Sequence, residues 1–142
     1  NLQDPGNLGT MMRTAEGAGV TGVLLSRGSV DIYNPKTIRS TMGSIYRVPF
    51  LYTDDLLGDM EKLHEKGITT YAAHLKGQGF YDEESYLGPT AFLIGNEGNG
   101  LSDEISEKAK QYIKIPMGGQ LESLNAAVAA AILMYEASRQ RR

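Results

Sequence analysis

The sequence predicts an α/β fold with a mostly parallel sheet flanked by helices on both faces. Short apolar segments alternate along the chain with longer segments that have helical apolar spacing. The strand-like segments are continuously apolar, as is typical of a sheet that is covered on both sides. The length of 142 residues fits one domain with a proper core.

The helices are predicted from apolar spacing and from residues that favour helix starts and ends. A turn at residues 4–6 precedes the first helix, for which Asn7 is the predicted N-cap. Pro35 suits the first turn of the second helix, Asp54 is the predicted cap of the third, and Ser123 is the predicted cap of the last. The predicted helices are 8–18, 35–44, 54–66, 102–110 and 123–139.

The strands are predicted from apolar runs that lie between these helices. The predicted strands are 21–26, 47–53, 68–74, 90–95 and 112–116. Residues 77–88 contain an acidic run and are predicted to form a solvated loop.

The composition excludes several function classes. The chain has no cysteine, which rules out disulfides, thiolate catalysis and cysteine-based zinc sites. Only His64 and His74 could supply imidazole ligands, and no metal site is expected. His64 lies in a charged helix and is expected to be exposed and without a role. No apolar run is long enough to span a bilayer, and a cytoplasmic location is expected. The net charge of −3 disfavours a stand-alone nucleic-acid binder.

The most informative segment is residues 115–125, where an apolar strand ends in Pro116 and a loop with paired glycines leads to the last helix. Ser123 is a favoured cap, and a second amide side chain, Asn125, lies two residues later. This pattern indicates either a binding site at the helix start or simply a well-capped core helix. Ile115, Met117 and Leu124 would give such a site apolar walls, as ligand pockets of open α/β sheets have.

Arg13 in the first helix is the second candidate. A long helical side chain leans toward the helix N-terminus, so its guanidinium could bind a phosphate near Asn7. The alternative is a surface ion pair with Glu16, three residues later.

The third candidate is the glycine-rich segment 95–100. The order of its glycines does not match a dinucleotide-binding fingerprint. Glu97 is the ionisable residue inside this loop, and a carboxylate in a tight glycine loop favours a binding role over packing.

Together and in this order, segments 4–19, 92–102 and 115–125 resemble the signature motifs of the SpoU (TrmH-type) family of RNA ribose 2′-O-methyltransferases, in the SPOUT superfamily. The resemblance covers nearly the whole chain and implies a single catalytic domain over residues 1–142 with a C-terminal deep trefoil knot. It also implies a homodimer, which the alanine-rich last helix could support. We further expect a strand and an RNA-binding extension before Asn1.

The resemblance implies methyl transfer from S-adenosylmethionine to a ribose 2′-hydroxyl of RNA. We expect ribosomal RNA, rather than transfer RNA, to be the substrate. A transfer RNA enzyme and a non-catalytic RNA-binding relative remain alternatives. The implied catalytic residues are Asn7, Arg13, Glu97, Ser123 and Asn125. The implied cofactor contacts are Gly95, Ile115 and Leu124, with Leu93, Ile94 and Met117 beside them.

The role of Arg13 has two versions. The resemblance implies a general base, but a guanidinium resists deprotonation. The second version has Arg13 bind the RNA phosphate and stabilise the developing alkoxide, while the proton leaves to phosphate or water. In both, Ser123 and Asn125 orient Arg13 or the ribose, and Glu97 fixes the loop.

Overall fold

A computed structural model of the chain describes residues 1–77 and 79–142. Gln78, in the predicted loop 77–88, lies outside the described residues. The helices are α1 (Pro5–Ala18), α2 (Pro35–Thr41), α3 (Leu56–Glu65), α4 (Asp103–Lys108) and α5 (Ala126–Arg141). The strands are β1 (Val23–Ser26), β2 (Phe50–Thr53), β3 (Thr69–Ala73), β4 (Gly79–Phe80), β5 (Thr90–Leu93) and β6 (Gln111–Lys114).

All strand pairs of the described residues are parallel. β1 pairs with β2, and the other four strands form a sheet in the order β4-β6-β3-β5. Parallel strands end at the same edge, so the segments after β3, β5 and β6 leave the sheet side by side. Ligands of open α/β sheets bind at such an edge.

Helices cover both faces of the four-stranded sheet. On one face, Tyr71 of β3 and Ile113 of β6 pack with Leu133 of α5. On the other, Ala72 of β3 packs with Met60 of α3, and α4 joins the same cluster. The predicted architecture of parallel strands flanked by helices is therefore confirmed, because alternate residues of β3 are buried in opposite directions. The described strands form two sheets, however, and not the single sheet that the sequence predicted.

The first residues of the chain lie between the two sheets. The backbone amide of Val30, after β1, donates a 2.7 Å hydrogen bond to the carbonyl of Leu2. The side chain of Asn96, after β5, donates a 2.7 Å hydrogen bond to the carbonyl of Asn1. Segment 1–2 thus connects the ends of β1 and β5.

Three predicted helix starts were wrong by one to three residues. Asp4 caps α1 by accepting a 2.9 Å hydrogen bond from the amide of Asn7. Asp55, and not Asp54, caps α3. Asn125, and not Ser123, caps α5, and its Oδ1 accepts from the amides at 127 and 128 at 2.8 and 3.1 Å. In each case the competing side chain was also a favoured cap, and sequence alone does not rank them.

Two further expectations change. The predicted loop 77–88 contains β4, which pairs with β6 at the sheet edge. His64, expected to be exposed and without a role, is half-buried, and its Nε2 lies 2.7 Å from Oγ1 of buried Thr70. His64 therefore helps to satisfy a polar group beneath α3.

Candidate active site

Segments from all three motifs line one open crevice of about 610 Å³ at the start of α5. The first motif contributes the loop into α1, the second contributes Glu97, and the third contributes the residues that lead into α5. The lining residues are Gln3, Asp4, Pro5, Asn7, Glu97, Ser123, Leu124, Asn125 and Ala126. Stretches far apart in sequence therefore meet at one place.

A directed chain of side-chain amides joins the three motifs. Nδ2 of Asn125 donates a 3.0 Å hydrogen bond to Oδ1 of Asn7. Nδ2 of Asn7 donates in turn to Oε1 of Glu97, at 3.4 Å. Because Oδ1 of Asn125 is occupied by the amides that it caps, its Nδ2 is directed toward Asn7. The orientation of each amide is thus set by its neighbour.

The carboxylate of Glu97 is held by the N-terminal segment. It accepts hydrogen bonds of 3.0 and 3.1 Å from the amide of Gln3 and of 3.1 Å from the amide of Asp4. Partial burial by itself raises the pKa of Glu97, but the donors from Gln3, Asp4 and Asn7 outweigh it and lower the pKa below its usual value. Glu97 is therefore ionised at neutral pH and accepts hydrogen bonds only.

The glycine-rich loop is shaped by two close backbone approaches. Asn96 and Gly100 exchange backbone hydrogen bonds of 3.1 and 2.9 Å, and Oδ1 of Asn96 accepts from the amides at 98 and 99. A Cβ on Gly95 would lie 2.2 Å from the carbonyl carbon of Gly100 and 2.3 Å from the amide nitrogen of Leu101. Only glycine fits at position 95, and Glu97 is fixed at the loop tip.

The predicted apolar walls divide between two sides of the sheet. Ile94 and Ile115 are half-buried and pack on the same cluster as α5, so they lie on one face of the sheet, directly after β5 and β6. Leu124 is half-buried and lines the crevice, and Met117 is half-buried in the loop after β6. Leu93 is instead in the core cluster with α3 and α4, so only its backbone faces this edge.

Ser123 and Arg13 differ from the other predicted site residues. Ser123 lines the crevice and is exposed, although it caps no helix. Arg13 is exposed and lies six residues beyond Asn7 on α1, so the two side chains point about 120° apart around the helix. Within one chain, the structure does not bring Arg13 into the crevice with the other four.

The alternative ion pair of Arg13 with Glu16 was wrong. Glu16 binds the guanidinium of Arg47, and its Oε1 accepts a 2.6 Å hydrogen bond from the hydroxyl of Ser44. These hydrogen bonds, led by that from Arg47, lower the pKa of Glu16 to about 2. Arg13 forms no ion pair or side-chain hydrogen bond among residues 1–77 and 79–142.

Three further residues contribute to the site without having been predicted from the sequence: Gln3, Asp4 and Asn96. The backbone amides of the first two bind Glu97, and the third fixes the loop. An Asp directly before a Pro is a recognisable helix start, which could have identified Asp4 as a cap. The donors to Glu97 are backbone amides, which nearly every residue type has, so the sequence does not indicate them.

The family model described as SpoU rRNA Methylase family matches residues 1–135. The chain belongs to this family. The sequence is 42% identical over 134 residues to the 23S rRNA (guanosine(2553)-2′-O)-methyltransferase RlmP of Bacillus subtilis, covering 94% of this chain and 54% of that protein. It is 40% identical to an uncharacterised tRNA/rRNA methyltransferase of Synechocystis, covering 98% of this chain and 51% of that protein. The chain thus spans about half the length of these curated relatives.

Solved structures of SpoU members share the fold. The SpoU methyltransferase AviRb from Streptomyces viridochromogenes superposes with a TM-score of 0.93 at 32% identity, over 99% of this chain and 57% of that one. The AdoMet-bound rRNA methyltransferase from Sinorhizobium meliloti gives a TM-score of 0.90 at 35% identity, over 98% of this chain and 53% of that one. The family resemblance predicted from the three motifs is therefore confirmed.

Two structural features are absent from residues 1–77 and 79–142. No helix there has the length and apolar character to cross a bilayer. No group of three or more His, Cys, Asp or Glu side chains is placed to hold a metal ion.

Proposed function

We propose that the chain is the catalytic domain of an S-adenosylmethionine-dependent RNA ribose 2′-O-methyltransferase that acts on ribosomal RNA. The observation that carries the proposal is the amide chain from Asn125 through Asn7 to Glu97 at one crevice. Such directed hydrogen bonds between polar side chains are typical of a site that must hold its geometry. The name of the Bacillus subtilis relative supports the ribosomal substrate.

The residues after β5 and β6 fit the methyl donor. Ile94 and Ile115 offer half-buried apolar surface beside the glycine-only turn at Gly95, where backbone groups can approach a ligand closely. Leu124 lines the crevice, and Met117 adds half-buried apolar surface in the loop after β6. S-adenosylmethionine supplies an electrophilic sulfonium methyl group when it is bound.

The polar residues act on the RNA. Arg13 holds the phosphate next to the target ribose and stabilises the negative charge that develops on the 2′-oxygen. The hydroxyl proton passes to that phosphate or to water, since the guanidinium stays protonated. Ser123 and Asn125 orient the ribose, and Glu97 keeps the first and second motifs together.

Arg13 reaches this site from a second copy of the chain. In one chain it lies about 120° away from Asn7 around α1, on an exposed surface. A homodimer in which each Arg13 enters the partner's crevice would complete two sites. Mixing Arg13→Ala with Asn125→Ala chains tests this, because a mixed dimer then contains one intact site and regains activity that each variant alone lacks. No recovery after subunit exchange would contradict the arrangement.

Two features of the longer protein belong to the proposal. The outer edges of β1 and β5 are unpaired among the described residues, and segment 1–2 lies between them, so a preceding strand would join both sheets. An N-terminal RNA-binding extension then precedes that strand. Deleting this part of the longer protein should weaken RNA binding, and unchanged affinity would contradict the extension's role.

The trefoil knot is also proposed for the segments around the second and third motifs. The close approach of Gly77 to the backbone of Ile113 supports backbone segments that cross at short range. A crystal structure tests it: a trace in which residues 111–125 leave the sheet without passing through a loop would contradict the knot.

The decisive experiment for the activity is methyl transfer by the full-length protein. Labelled S-adenosylmethionine is incubated with separated ribosomal and transfer RNA, and the modified ribose is mapped. Arg13→Lys should lose most activity while it still binds S-adenosylhomocysteine in calorimetry. Near-wild-type turnover of this variant would contradict the role of Arg13.

Transfer RNA is the second candidate substrate. The chain covers 92% of a solved structure described as giving insights into 2-OH methylation of C/U34 on tRNA, with a TM-score of 0.86 at 30% identity. Label found only in the transfer RNA pool would favour it. Failure to bind S-adenosylhomocysteine would favour a non-catalytic relative.

A further inference from the structure

Arg13 lies on the side of α1 that packs against α2. A Cβ on Gly9 would lie 2.3 Å from Cβ of Ser40 on α2, so the two helices touch there. Glu16, seven residues later, binds Ser44 and Arg47 beyond the end of α2. Arg13 is four residues after Gly9 and three before Glu16, which places all three on one stripe of α1.

Cations are concentrated beside this stripe. Lys36 and Arg39 are exposed on α2, three residues apart, on its outer side. Among the described residues, neither they nor Arg13 has an ion-pair partner, whereas the two charges of Glu16 and Arg47 neutralise each other. In a chain of net charge −3, this area carries unbalanced positive charge.

Asp31 is an exposed acidic residue close to this area in sequence. Oδ1 of Asp31 accepts a 2.9 Å hydrogen bond from the backbone amide of Tyr33. The Asp31 carboxylate therefore reduces the positive charge of the area by one, and it is held in a local turn by this hydrogen bond.

Exposed aromatic rings flank the cations. Tyr33 is 62% exposed and Tyr46 is 85% exposed, so most of each side chain is free of contacts within this chain. The ring of Tyr33 is held edge-to-face on Phe50 with centroids 6.1 Å apart. Tyr46 follows a tight turn in which Met42 and Gly43 both have positive φ, at 51° and 88°. Both rings thus project from defined backbone.

We propose that the face formed by Arg13, Tyr33, Lys36, Arg39 and Tyr46 binds single-stranded RNA next to the methylated nucleotide. The inference rests on the proposed function, because it extends the RNA path away from Arg13. Lys36 and Arg39 bind successive phosphates, and the tyrosine rings stack on unpaired bases. Exposed rings favour single strands, since bases inside a duplex are already stacked.

The test measures binding of the full-length protein to a labelled single-stranded RNA by fluorescence anisotropy across a salt series. The Lys36→Ala/Arg39→Ala variant should bind about tenfold more weakly, and its plot of log affinity against log salt should be flatter by about 1.4, for two lost phosphate contacts. Tyr46→Ala should also bind about tenfold more weakly, but with an unchanged slope. Tyr46→Phe retains the ring and should restore affinity.

Lys62→Ala/Lys66→Ala, in α3 and directly after it, is the matched control, because it removes two exposed cations elsewhere and should leave affinity and slope unchanged. Unchanged RNA binding of the Lys36→Ala/Arg39→Ala variant would overturn the inference, as would equal losses in the control. S-adenosylhomocysteine binding, measured on the same variants, should stay intact, and its absence in the wild type would instead count against the proposed function.

Discussion

The side-chain amide of Asn125 serves two helices at once. Its oxygen caps α5, and its nitrogen donates a 3.0 Å hydrogen bond to Asn7 in the first turn of α1. A capping residue that used only its oxygen could be replaced by Ser or Asp. The second contact explains why an amide occupies this position.

Asn125→Asp separates these two functions. A carboxylate still caps α5, so the free energy of unfolding should stay within about 0.5 kcal/mol of wild type. The donor to Asn7 is lost, and methyl transfer should fall by at least tenfold. Asn125→Ala loses both functions and should also unfold more easily, by about 1 kcal/mol in urea titrations. Full activity of Asn125→Asp would show that the amide chain is dispensable.

Gly95→Ala should destabilise the fold by about 2 kcal/mol, because its Cβ would collide with the backbone of Gly100 and Leu101. Gly118→Ala is the matched control, since a Cβ there meets no atom within 4 Å. Chemical unfolding of both variants measures the difference. Equal stability of the two variants would contradict the close backbone contact of Gly95 with Gly100 and Leu101.

Glu97→Gln should loosen the first motif. A neutral amide cannot accept from Gln3, Asp4 and Asn7 together, and its own NH₂ group faces backbone donors. Because Glu97 is solvent-exposed, the expected loss is only about 1 kcal/mol in the free energy of unfolding. Activity should fall more than stability does. Hydrogen exchange of the amides at 3 and 4 should accelerate, and unchanged protection would contradict the assigned contacts.

Acid should weaken the contact between α1 and the turn after α2. The pKa of Glu16 falls from 4.5 to about 2 on folding, so its stabilising effect is complete above pH 4.5 and is lost as the pH falls toward 2. The difference in the free energy of unfolding between wild type and Glu16→Gln should therefore be constant at neutral pH. It should decrease toward zero as the pH falls from 4.5 to about 2. Glu122→Gln, in the exposed loop before α5, is the control. A difference that persists at pH 2 would contradict the ion pair with Arg47.

The sequence predicted the layer architecture because continuous apolar strands and helical spacing are local signals that packing did not override. Ala72 and Tyr71, buried on opposite faces of β3, are an example. It also identified Asn7, Glu97, Ser123 and Asn125, which the structure brings to one crevice. Their catalytic roles, the knot, the dimer and the cytoplasmic location stay predictions.

Other parts of the site could not be predicted from the sequence. Ser123 and Asn125 both satisfy the preference for a helix cap, and the choice depends on the contact of Asn125 with Asn7, 118 residues away. The orientation of Arg13 is set by the packing of Gly9 against Ser40, which no local pattern encodes. The amides that bind Glu97 are backbone groups, so the residue types at these positions do not reveal the contacts.

The directed amide chain also makes this protein vulnerable to slow chemical ageing. Hydrolysis of the Asn7 side chain to a carboxylate would place a second negative charge within hydrogen-bonding reach of Glu97, whose Oε1 lies 3.4 Å from the present nitrogen. Two adjacent carboxylates repel each other, and one would have to take up a proton. Stored preparations would then accumulate folded but inactive molecules, and intact mass analysis would detect this damage before any loss of helix content.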